Sequence, residues 1–80
     1  MTNIDWPCLA SDLKAATAPP AGIRRLGGKA EEDAILHVAE EHGFPDPRRL
    51  VLTVAQEIDH WRDRSAAIDE AVRRCRAWFA

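Results

Sequence analysis

The chain has no long apolar run. No window approaches the roughly 20 apolar residues that a membrane-spanning helix needs. The opening MTNIDWPCLASDLKAA carries Asp5 where a signal peptide would place positive charge. These absences predict a soluble, cytoplasmic protein. Cysteine is scarce as well: Cys8 and Cys75 are too few for a disulfide framework, although they would bridge if the fold brought them together. Cys75 falls on an apolar helical stripe, which favours a buried free thiol. Positive charge is also short, with 11 basic against 13 acidic side chains and a net charge of −2. That balance excludes a globally basic nucleic-acid coat and leaves local patches as the electrostatic handle.

Catalytic and cofactor signatures are missing too. In GIRRLGGKA, four residues separate Gly22 from Gly27, but Gly28 delays Lys29 and Ala30 replaces the hydroxyl with which a phosphate loop holds magnesium. Glu57 and His60 have the Glu-x-x-His spacing of carboxylate-bridged di-iron bundles, which need two such motifs and further inward glutamates. Asp33, His37 and Glu41 make a four-residue ladder along a helix, a pattern that suits a metal or a solvated face. No Cys-x-x-Cys or His-Glu-x-x-His supports zinc. No elbow glycines frame Ser11 or Ser65, and no local signature frames either cysteine. The sequence therefore predicts a non-enzyme with no catalytic residue, no metal and no cofactor.

What is present is helical patterning. A composition 46% hydrophobic and 30% charged is that of a globular chain rather than a disordered one. Eighty residues make a single domain over 1–80. A chain this short buries only about 60% of its unfolded surface, so each apolar residue counts. WPCLASDLKAAT suits a first helix, with Pro7 near its start and Leu9, Leu13 and Ala16 at helical spacing. Pro19 and Pro20 stop it. KAEEDAILHVAEEHG is a second, with Ile35, Val38, Ala39 and His42 on one face and Gly43 as its stop.

From Arg48 to Ala80 there is neither glycine nor proline. Val51, Val54, Ala55, Ile58 and Trp61 make one apolar stripe, and Ile68, Ala71, Val72, Cys75, Trp78 and Phe79 another. A continuous helix here would extend about 50 Å at about 1.5 Å per residue. The other helices are too short to cover it in a monomer, so two helices broken near RDRS are expected, capped by Asp63 or Ser65. The strand propensity of RRLVLTV keeps a small α+β fold as the alternative. The expected fold is all-α, a small bundle of three to four helices with a helix-turn-helix-like corner at residues 39–50. Its core is predicted from Leu13, Ile35, Val38, Phe44, Val51, Val54, Ile58, Trp61, Ile68, Val72, Cys75 and Trp78.

The corner itself, VAEEHGFPDPRRL, resembles the turn of the arabinose-regulator family of helix-turn-helix activators through Ala39, Gly43, Phe44, Asp46 and Pro47. The resemblance implies a tight Ala39 contact, a Gly43 turn and a Phe44 plug. It also implies DNA contacts from Arg48, Arg49, Thr53 and Gln56 in the major groove. Pro45 departs from the family pattern, and the acidic residues of the preceding helix repel phosphate. An ordinary corner between two helices accounts for the same residues.

Charge segregation points elsewhere. Glu31, Glu32, Asp33, Glu40 and Glu41 lie on the second helix, while Arg73, Arg74 and Arg76 gather beside Trp78 near the C-terminus. Arg and Trp are enriched at binding hot spots. In size and charge the chain is similar to phage or mobile-element inhibitors such as anti-CRISPR proteins and antiactivators. The expected function is a protein-binding regulator or inhibitor of a nucleic-acid-handling protein or complex, acting as monomer or homodimer through these eight residues. The alternatives are a small DNA-binding transcription regulator and a homodimeric structural module built on one long helix over 48–79.

Overall fold

The computed structural model describes residues 3–78, and these form four helices and no strand. Helix α1 runs Trp6–Ala16, α2 Gly28–Glu41, α3 Pro47–His60 and α4 Arg64–Trp78. The segment RRLVLTV is helical despite its strand propensity, because Asp46 and Pro47 start a helix immediately before it. The Asp46 carboxylate accepts the Arg49 amide at 3.3 Å, and Pro47 occupies a position that needs no intrahelical donor. α1 begins the same way, with Asp5 accepting the Cys8 amide at 3.1 Å and Pro7 in the first turn.

The α2–α3 corner closes with a two-bond turn. The Gly43 amide donates to Glu40 O at 3.1 Å and the Phe44 amide to Ala39 O at 2.8 Å. This pairing needs a left-handed residue after the cap, and Gly43 supplies it at φ 65°. Phe44, 4% exposed, then drops into the core beside Ala39. Its ring meets Trp6 edge-on at 6.3 Å.

The α3–α4 break lies at residues 61–63, as expected from length. Trp61 is already extended at φ −96° and ψ 144°. Asp63 restarts the helix by accepting the Ser65 amide at 3.0 Å. A continuous helix over 48–79 is therefore not formed.

Each helix packs on two others: α1 on α2, α2 on α3, α3 on α4, and α4 back on α1, with no close backbone approach across the diagonals among the described residues. The ring encloses Leu9 and Leu13 of α1, Ile35, Val38 and Ala39 of α2, Leu50 and Val54 of α3, and Ile68, Ala71, Val72 and Cys75 of α4. Each large side chain here contributes about 1.5–3 kcal/mol relative to exposure. Val51 and Ile58 pack at the core's edge.

Trp61 and Trp78 correct the expected core, being 43% and 38% exposed. Trp61 lies beyond the end of α3, so the helical phase that aimed it inward has ended. Trp78 ends α4 and turns its ring to the Arg49 guanidinium, 3.6 Å from the ring centroid. Phe79 lies outside the described residues. Among the described residues no helix is long and apolar enough to cross a membrane.

Polar groups join the helices where the core thins. Arg64 at the start of α4 donates to Lys14 O at 2.7 Å and to Thr17 Oγ1 at 2.8 Å, tying down the C-terminal end of α1. Glu57, 8% exposed, accepts from Trp61 Nε1 and Arg74 Nη1, each at 3.2 Å. No buried side-chain nitrogen or oxygen among the described residues lacks a hydrogen-bond partner.

Candidate functional site

At about 100° per residue, α2 turns Asp33, Glu40 and Glu41 away from its buried stripe, and all three are exposed. Lys29 Nζ lies 3.4 Å from Asp33 and His37 Nε2 lies 3.0 Å from Glu41, both along the helix. Glu40 makes no ion pair among the described residues. Glu32 sits on the flank, 3.9 Å from Arg48.

Glu31 leaves the expected partner-binding set. The same helical phase turns it inward to 4% exposure, where Arg25 grips both carboxylate oxygens at 2.9 and 2.8 Å. Arg25 also bonds Asp59, so one guanidinium fastens the loop before α2 to the end of α3. The hydrogen bond to Glu31 is the main reason this guanidinium holds its proton more firmly than an ordinary arginine.

The residues proposed for DNA scatter. Arg48 and Gln56 are exposed on the outward face of α3. Arg49 is exposed but stacked on Trp78. Thr53 is 5% exposed and donates its hydroxyl to Arg49 O at 2.7 Å, so it is turned away from any groove. Leu52, 62% exposed, occupies the centre of the outward face.

The C-terminal arginines divide similarly. Arg73 binds both oxygens of Glu70, holding that carboxyl below its ordinary range. Arg74 reaches Glu57. Arg76 is exposed and makes no ion pair among the described residues. Because α2 and α4 lie across the ring from one another, the acidic and basic sets form separate surfaces.

Two clusters escaped sequence reasoning. The first is an open cleft of about 370 Å³ between the loop before α2 and the α3–α4 break, lined by Arg24, Arg25, His60, Trp61, Arg62 and Arg64 among others. Arg25 and Arg64 are committed to contacts within the fold. Arg24 and Arg62 are exposed and make no ion pair among the described residues. The repeated arginines of IRRLGG and HWRDRS were the visible signal.

The second joins Cys8 and Asp12 of α1 to His42 at the end of α2. His42 Nε2 lies 2.7 Å from Asp12 Oδ2, and Cys8 Sγ lies 3.8 Å from the same oxygen. The four-residue spacing of Cys8 and Asp12 was visible in the sequence, but His42 is 30 residues from Asp12 and only packing unites them. This is not an activated nucleophile. His42 Nε2 is directed at Asp12 instead of the thiol. Desolvation, with Asp12 and Asp5 close by, raises the Cys8 thiol above its ordinary value, opposite to what a reactive cysteine needs. Cys75 is a free and fully buried thiol pushed up to about 11 by burial. Cys8 is exposed and also free, so the two cysteines are unpaired. No protein-family model, curated protein or solved structure matches the chain.

Proposed function

We propose that the protein is a non-enzymatic, cytoplasmic regulator that binds a protein partner through the outward face of α2. The observation that carries this reading is the placement of Asp33, Glu40 and Glu41 on one exposed face, while the helix's remaining inward carboxylate, Glu31, is consumed by Arg25. A rigid helix bearing separated carboxylates complements a basic surface, and charge complementarity of this kind governs partner choice and encounter rate. Basic surfaces of that type are characteristic of proteins that handle nucleic acid. The similarity in size and charge to anti-CRISPR proteins and antiactivators supports the same class of partner.

The test is the triple reversal Asp33→Lys, Glu40→Lys and Glu41→Lys. Capture of the native partner should weaken at least about tenfold, and duplex DNA should compete for that partner with the wild-type protein. Thermal stability should hardly change, because these side chains are solvated. Undiminished capture by the reversed variant would discard the reading.

The exposure of Arg48 and Gln56 on the helix after the corner favours a second reading, direct DNA binding. In that case duplex binding would fall with salt and be lost on Arg48→Ala. Glu32 beside Arg48 and the commitment of Arg49 to Trp78 weigh against it. The long helix required by a homodimeric module is interrupted at residues 61–63.

A further inference from the structure

The cluster between α1 and α2 brings three different ligand chemistries to one point. Cys8 and Asp12 stand one above the other on successive turns of α1. His42 approaches from the end of α2, where its amide is bonded to Val38 O at 3.1 Å and its side chain is only 13% exposed. The sulfur, a carboxylate oxygen and a ring nitrogen all lie within 4.8 Å of one another. We propose that Cys8, Asp12 and His42 bind one divalent transition-metal ion of the zinc class, which clamps α1 to the C-terminal end of α2.

The dimensions suit such an ion. Bonds of about 2.0–2.3 Å in a tetrahedral site place neighbouring ligand atoms about 3.3–3.8 Å apart. The Cys8–Asp12 separation of 3.8 Å is already in that range. The 2.7 Å between His42 and Asp12 must widen by about 0.6–0.7 Å as the hydrogen bond gives way to two metal bonds. Asp12 is half exposed and can supply that movement by rotating, while His42 stays fixed.

The donor set selects the metal. A thiolate with an imidazole suits zinc and its neighbours in the transition series, whereas calcium and magnesium take oxygen. On binding, Cys8 gives its proton to solvent as the sulfur–metal bond forms, and His42 binds as the neutral imidazole. Thiolate and carboxylate then balance the two positive charges. The fourth position faces solvent through the exposed Cys8 and Asp12, leaving room for water. The ladder of Asp33, His37 and Glu41 differs in two respects: it has no thiolate, and it lies on one exposed helix. It is the natural control.

The experiment is titration of the reduced full chain with Co²⁺, followed by displacement with Zn²⁺. One Co²⁺ per chain should bind, with a thiolate-to-cobalt charge-transfer band and visible absorption of tetrahedral intensity. Zn²⁺ should bleach both and protect Cys8 from alkylation. Loss of partners that merely orient a ligand costs about 10–100-fold in affinity, so Cys8→Ser and His42→Gln should weaken binding at least about 100-fold. Asp12→Asn should weaken it at least about tenfold, and His37→Gln should leave it unchanged. Circular dichroism of the metal-free variants checks that they remain folded. Failure of the wild-type chain to give the charge-transfer band would overturn the proposal. Wild-type affinity in folded Cys8→Ser or His42→Gln would do the same, as would loss of binding in His37→Gln.

Discussion

The two corners on either side of α3 solve one problem by different means. Between α2 and α3 the chain reverses through Gly43, and an aromatic ring fills the corner from inside: Phe44 is buried against Ala39 and Trp6. Between α3 and α4 there is no glycine, and the aromatic ring stays outside. Trp61 is 43% exposed, bonded through its indole nitrogen to Glu57 and set edge-on to His60 at 5.9 Å. The first corner is held by apolar burial and the second by polar ties to Glu57 and Asp63. An aromatic residue at a break is therefore no guide to the core unless the backbone continues in phase to aim it there.

Aromatic truncation should break the comparison most visibly. Phe44→Ala opens a cavity under the corner and should cost about 3–5 kcal/mol in denaturant unfolding, a large part of a small domain's stability. Trp61→Ala removes a larger side chain, but one 43% exposed and outside the core, together with one hydrogen bond, so about 1–2 kcal/mol is expected. Equal losses at the two sites would show that both corners depend on apolar burial.

The difference also explains what could be read in advance. Gly43, Phe44, Asp46 and Pro47 are local signals within five residues, and they locate the first corner. The second follows from length and from the candidate caps Asp63 and Ser65, yet the three-four stripe from Val51 runs through Trp61 without interruption and by pattern alone places it in the core. Only the extended Trp61 backbone reveals that the phase is lost. The acidic helix was legible as a helix and its outward carboxylates follow from its phase. The inward turn of Glu31 depends on Arg25, and Thr53 is buried beneath the α3–α4 packing. The contacts of Cys8 and Asp12 with His42, and the arginine cleft, arise from tertiary packing that no local pattern announces.

The polar ties of the second corner can be tested next. Glu57→Ala removes the acceptor shared by Trp61 and Arg74. Arg74 is half exposed and water will take up much of the loss, so about 1–2 kcal/mol is expected from thermal or denaturant unfolding. If Trp61→Ala and Glu57→Ala act on one tie, the double variant should be less destabilised than the summed single effects. Strict additivity would mean that Glu57 serves the corner through Arg74 alone.

The smallest effect should be the one the corners share. Asp46 and Asp63 each accept a backbone amide in the first turn of the following helix, at 3.3 and 3.0 Å. Both sites are exposed, and loss of either cap leaves an amide that water can partly satisfy. Asp46→Ala and Asp63→Ala should therefore each cost about 1 kcal/mol. The corners should thus differ severalfold in their aromatic residue while matching in their caps. A much larger loss at Asp63 would place the weight of the glycine-free corner on restarting the helix, ahead of the Trp61–Glu57–Arg74 tie.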